Sequence, residues 1–141
     1  MEFKVRKIDL HNIDALRSFI QNLGESSLNF RYFESRPLNI IENHLVTVLA
    51  SSESGEEIGY GHLDQEANVI WLGIAVAGHL RGNGIGTLLM KYLLDFADKT
   101  KVKEIRLAVD KSNDQAFKMY KRHGFDVFDD LGKSYLMVRY A

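Results

Sequence analysis

Arg81-Gly82-Asn83-Gly84-Ile85-Gly86 sets three glycines between an apolar run, Val69 to Val76, and a stretch whose apolar residues recur at helical spacing. Glycine lacks a β-carbon, so the chain can turn sharply here and approach a ligand closely. The first amide N–H groups of the following helix have no partner inside it and carry partial positive charge, which suits a pyrophosphate. Strand, glycine turn and helix in this order predict a phosphate-holding junction.

Working outward, Val69 to Val76 is apolar or glycine throughout, the pattern of a strand covered on both faces in the middle of a sheet. After the glycines, Ile85, Leu88, Leu89, Tyr92, Leu93 and Phe96 form a stripe with a period of about 3.6 residues, a helix lying on that sheet. Upstream, Leu45 to Ala50 and Ile58 to Leu63 read as two strands, joined through Ser51-Ser52-Glu53-Ser54-Gly55 as a hairpin. Phe3, Val5 and Ile8 alternate with charges as a first strand. Ile13, Leu16, Ile20 and Leu23 then mark a helix with Asn12 as N-cap and Gly24 as its stop, and Pro37 opens a short helix through Ile40 and Ile41.

Downstream, Ile105, Leu107 and Val109 make another strand, and Ser112 with Gln115 has the capping-box spacing that announces a helix. Ala116, Phe117 and Tyr120 share its inner face, and Gly124 ends it. Phe125 to Phe128 and Tyr135 to Tyr140 close the chain as paired strands around Asp129-Asp130-Leu131-Gly132. The alternation of strands and helices predicts an α/β (α+β) fold with one mixed sheet.

The 141 residues suffice for one core, and 45% hydrophobic with 26% charged residues is the balance of an ordinary globular protein. A formal net charge of -1 argues against nucleic acid or an anionic membrane as the main partner and toward a small molecule or peptide. With no cysteine, disulfides, thiolate metal sites and a cysteinyl acyl-enzyme are excluded. Met1-Glu2-Phe3-Lys4-Val5-Arg6 alternates charged and apolar residues, unlike a signal peptide or membrane helix, so a cytoplasmic location is the default expectation.

Two motifs then resemble the GNAT superfamily of acyl-CoA-dependent N-acetyltransferases. Arg81, Gly84 and Gly86 match that family's acetyl-CoA signature (Gln or Arg, two residues, Gly, one residue, Gly or Ala) between the right strand and helix. Asn113, Ala116, Tyr120, Gly124 and Phe125 supply its second signature at family-like spacing, and the resemblance is strongest over residues 56–128. Neither the dinucleotide Gly-x-Gly-x-x-Gly pattern nor a P-loop is met. The resemblance implies a single N-acetyltransferase domain over residues 1–141, with a central mixed, mostly antiparallel sheet flanked by helices.

It further implies that acetyl-CoA, a cosubstrate needing no metal, lays its pantetheine arm along Ile74-Ala75-Val76. The amides of Arg81, Gly82, Asn83, Gly84, Ile85, Gly86 and Thr87 would cradle the pyrophosphate, with Asn113 beside the cofactor. Direct attack of a primary amine on the thioester, in a ternary complex, sets three tasks. An ammonium of pKa about 10.4 must lose a proton, at about 4 kcal/mol near neutral pH. The oxyanion needs a donor, for which the family pattern offers the Val76 N–H. The leaving thiolate takes a proton, a task for Tyr120, whose alternative reading is a core aromatic.

The base is where this chain departs from the family. Some members carry a glutamate early in the central strand, whereas Val69-Ile70-Trp71-Leu72 holds no acid. Glu66 and Asp64, read as lying in the preceding turn, and His62 in the strand before it are candidates acting through water, with His79 a further one nearer the cofactor. Lys118, Lys121 and Arg122 either meet nucleotide phosphates or are solvated charges. Residues 25–44 are the least regular part, so Glu25, Arg31, Tyr32, Glu34 and Arg36 are candidates for acceptor contact, while Phe30, Tyr32 and Phe33 serve equally as anchors. A small-molecule acceptor leads; a protein or peptide acetyltransferase and a non-catalytic acyl-CoA-binding domain stand as alternatives. A sheet edge near the C-terminus is compatible with a homodimer.

Overall fold

The computed structural model describes residues 2–24, 30–80 and 82–141. Its elements run β1 (Phe3–Lys7), α1 (Ile13–Gln21), β2 (His44–Ser52), β3 (Glu57–Glu66), β4 (Val69–Val76), α2 (Ile85–Lys99), β5 (Glu104–Asp110), α3 (Asp114–Arg122), β6 (Asp126–Asp130) and β7 (Ser134–Tyr140). The seven strands form one sheet in the order β1-β2-β3-β4-β5-β7-β6. Every neighbouring pair is antiparallel except β4 and β5. Because β4 and β5 are parallel, they need a crossover, and α2 supplies it.

Each face of the sheet has its own core. One packs Ile85, Leu89, Met90, Leu93 and Ala97 of α2 on Val48, Ala50 and Leu72, and reaches Tyr120 and Phe125. The other packs Leu16 and Phe19 of α1 on Leu49, Tyr60 and Ala75. Strand alternation explains the division, since successive side chains point to opposite faces. Tyr60 and Ala75, paired across β3 and β4, turn toward α1, whereas Leu72, Ile74 and Val76 turn toward α2.

Several local expectations shift. Asn12 does not cap α1 with its side chain; Asp9 starts a 3-10 turn, Leu10–Asn12, and the Asn12 side chain accepts from the Asp9 N–H at 3.1 Å. In the later helix the cap is Asn113 rather than Ser112, its Oδ1 accepting from the Ala116 N–H at 3.3 Å. Leu88 is 38% exposed, and Met90, Leu94 and Ala97 complete the inner face of α2. Asp129 and Asp130 belong to β6 and not to the turn after it. Asp64 and Glu66 likewise belong to β3, where a turn was expected. Central strand β4 is not covered throughout: only Leu72 and Ala75 are buried, because the sheet opens beside it. Among the described residues no helix is long and apolar enough to cross a membrane.

Candidate active site

Parallel strands β4 and β5 pair at one position, Trp71 with Arg106. Beyond it they diverge as a fork, and a cavity of about 350 Å³ fills the gap between residues 72–76 of β4 and 108–110 of β5. Antiparallel pairing with β3 alternates between hydrogen-bonded and non-bonded residue pairs, and Ala77 is bonded to Ile58. In their pairing with β3, Ile74 and Val76 therefore fall at the residue pairs whose main-chain groups turn from β3 toward the fork.

The glycine turn closes one end. Gly82 and Gly84 have φ of +89° and +81°, left-handed values that a residue with a β-carbon adopts only with strain. Gly84 is the N-cap of α2 and offers no side chain to its first amides, whose natural partner is an anion. Gly82 and residues 84–87 all line the cavity, as do residues 74–76, Asn113 and Tyr120. Asn83 does not; its side-chain amide donates to the Leu80 carbonyl at 3.2 Å and braces the turn. Arg81 and Glu25 lie outside the described residues.

Tyr120 is 7% exposed, and burial pushes its phenol up to about 12, so it is protonated at neutral pH. Among the described residues every side-chain nitrogen or oxygen sealed from solvent has a hydrogen-bond partner. The Tyr120 hydroxyl has none among the described residues, and Tyr120 lines the cavity, so the hydroxyl opens on it.

The base candidates fall elsewhere. Glu66 pairs with Val69 at the start of β4, roughly 16 Å along the strand from Ile74 at about 3.3 Å per residue. Its carboxylate meets the Arg36 guanidinium at 3.4 Å and does not line the cavity, so the fold does not bring it to Tyr120. His79 meets Glu56 at 3.2 Å on the surface. Lys118 and Lys121 are engaged by Asp114 and Asp126, while Arg122 reaches the cavity wall.

On the α1 side the fold builds what sequence reading missed. Tyr32 donates to Asp64 Oδ2 at 2.8 Å and so accepts from His44 Nε2 at 2.7 Å; His44 Nδ1 in turn accepts from Thr47 at 2.8 Å. This one-way relay ties the segment carrying Tyr32 to the sheet. Burial pushes the His44 imidazole down to about 4. Beside it the Tyr60 hydroxyl lies 2.6 Å from His62 Nδ1, and Phe30 packs on Tyr60 with ring centroids 5.4 Å apart and reaches the cavity. Arg31 spans the opening to Asp110, a carboxylate on the cavity wall, through contacts of 3.2 and 3.3 Å. Tyr60, His62 and Asp64 occur at every second residue, and that spacing was the available signal for one buried polar face.

A strand fork meeting a glycine turn at a helix N-terminus is the setting of this cavity, and the same fold occurs in solved structures of known proteins. The chain is similar to the PaiA N-acetyltransferase of Thermoplasma acidophilum solved in complex with coenzyme A (TM-score 0.79, 22% identity, covering 100% of both chains). It is similar also to the GNAT domain of S. lividans PAT (TM-score 0.84, 16% identity, 99% of this chain and 90% of that one). A third likeness is to the ribosomal-protein-S18-alanine N-acetyltransferase of Escherichia coli (TM-score 0.76, 18% identity, 99% and 94%). No curated protein matches in sequence. The Acetyltransferase (GNAT) family profile matches residues 11–125, and the chain belongs to that family.

Proposed function

We propose that this protein transfers an acetyl group from acetyl-CoA to a primary amine of a small molecule, by direct attack in a ternary complex. The observation that carries the reading is the β4–β5 fork, which opens at one end on the α2 N-terminus and has the Tyr120 hydroxyl in its wall. Residues 82–87 fit a pyrophosphate through left-handed glycines and amides at a helix start. Main-chain groups at Ile74 and Val76 suit the amides of a pantetheine arm, as a sheet edge suits a peptide. The Val76 N–H, on the same edge, is assigned to the oxyanion.

Amine nitrogen attacks the thioester carbon, the C–N bond forms, the C–S bond breaks, and the sulfur leaves as thiolate. Tyr120 O–H protonates that thiolate, while the nitrogen's surplus proton passes to solvent water, from which the Tyr120 phenolate regains its proton. Glu66, held by Arg36 opposite Val69, is given no part in this step.

A small acceptor is supported by Phe30 and Asp110 in the cavity wall, with Arg31 paired to Asp110, among the described residues. Release of free thiol from acetyl-CoA across a panel of small amines and peptides tests the reading. Small-amine turnover supports it, peptide-only turnover redirects it to a protein acetyltransferase, and coenzyme A binding without any turnover replaces it with an acyl-CoA-binding domain.

A further inference from the structure

Tyr60, His62 and Asp64 face the α1 side opposite Ala75, Gly73 and Trp71 of β4. The His62 ring leans across Gly73: a β-carbon there would stand 2.6 Å from Nε2 and 2.7 Å from Cε1. The imidazole thus reaches over β4 with its Nε2 edge against Gly73, which with Ala75 forms part of the cavity wall, while His62 itself is not among the residues that line the cavity. His62 is 2% exposed, yet Nε2 is not sealed, since every sealed nitrogen or oxygen of the described side chains has a partner and Nε2 has none among the described residues.

The position of the ring's proton follows from its neighbour. Tyr60 is fully buried, and among the described residues the acceptor its hydroxyl reaches is His62 Nδ1. A proton on Nδ1 would leave the Tyr60 O–H buried and unpaired, which carries the full desolvation penalty of that group. Burial, and His44 beside it, hold the ring neutral well below the ordinary histidine range. A neutral imidazole whose Nδ1 accepts carries its hydrogen on Nε2. His62 therefore presents a donor over Gly73, at the edge of the fork, and has no lone pair there with which to act as a base.

We infer that His62 Nε2–H is a specificity donor in the acceptor subsite. It binds a neutral oxygen close to the reacting nitrogen, so the acceptor class is an amine with a neighbouring hydroxyl or amide carbonyl. The neutral ring offers no positive charge to an anionic oxygen, and of the carboxylates on this side Asp64 accepts from Tyr32 while Asp110 is paired with Arg31. Tyr60 is the positioning residue that fixes the tautomer. This assignment rests on the amine-acylation reading above.

Two measurements test it. In long-range proton–nitrogen correlation spectra of wild-type protein labelled with ¹⁵N-histidine, His62 is expected with Nε2 protonated; protonation at Nδ1 overturns the inference. In thiol-release assays, ethanolamine and glycinamide are compared with propylamine. The oxygen-bearing amines should have kcat/KM about tenfold higher, as one neutral hydrogen bond allows. The difference should lie in KM, vanish in His62→Leu and return in part in His62→Gln. A preference that survives His62→Leu overturns the assignment, as does an equal fall in kcat for all amines, which would put the donor on the thioester oxygen. Should His62→Leu not fold, Tyr60→Phe decides: it should mix the tautomers and weaken the preference, and an unchanged spectrum and preference count against the inference. Turnover of no amine by folded protein that binds coenzyme A overturns the acetyl-transfer reading itself, and this one with it.

Discussion

Trp71 of β4 and Arg106 of β5 are the single residue pair at which the two parallel strands meet, and past them the sheet divides. One bridged pair is what turns a continuous sheet into a receptor. The site depends on an interruption of pairing that the sheet's remaining antiparallel contacts hold in place.

Removing the phenol oxygen of Tyr120 should separate chemistry from binding. Its hydroxyl has no partner among the described residues, so Tyr120→Phe should cost little stability. Turnover should fall about 100-fold, the ordinary contribution of a positioned acid, with coenzyme A affinity nearly unchanged. Steady-state kinetics beside titration calorimetry checks this, and an unaltered kcat would remove Tyr120 from the mechanism.

Gly84 makes a different demand. A β-carbon there would meet nothing within 4 Å, so the only penalty for a side chain is its φ of +81°. Gly84→Val should cost about 1–2 kcal/mol of backbone strain and, by distorting the α2 N-terminus, weaken coenzyme A binding at least about tenfold. Chemical denaturation and calorimetry measure the two effects separately.

The relay from Thr47 through His44 and Tyr32 ends on Asp64, which is 3% exposed. Tyr32→Phe deletes the donor to a buried carboxylate, and the expected loss is about 1.5–3 kcal/mol, appropriate to a hydrogen bond to a charged group. Urea unfolding reads this directly; a change within about 0.5 kcal/mol would show that the relay does not hold the Tyr32 segment.

Acid should destabilise the fold through the same relay. His44 binds a proton at about 4 when folded and at about 6.5 when unfolded. Between those values the unfolded chain holds more protons, so stability is complete above about pH 6.5, declines as pH falls toward 4 and declines no further from this group below that. Allowing for partial exposure, the contribution is roughly 1–2 kcal/mol. Buried His62 acts in the same direction. Melting temperatures from pH 7 to pH 4 should fall less steeply for His44→Gln than for wild type, and parallel curves would exclude His44 as a source.

Much of this was legible in the chain because its signals are local. Three closely spaced glycines before an amphipathic stripe, and Asn113 through Phe125, mark the turn, the helices and Tyr120 without any long-range information. The hairpin of β2 and β3 followed from its turn. What escaped depends on contacts between distant segments: the fork needs the β4–β5 register, and the relay joins Tyr32 to residues 12 and 32 positions away. Glu66 was chosen for its charge near the central strand, and only the register reveals that it stands at that strand's far end. The helix caps slipped because Ser112 and Asn113 are both good caps and side-chain geometry decides between them.

Titration calorimetry of coenzyme A into the wild-type protein and Gly84→Val tests the central claim most directly. Seating of the carrier in the fork predicts one site per chain for wild type, with affinity reduced at least about tenfold by the variant. No heat at millimolar coenzyme A, or equal affinities in the two proteins, would contradict it.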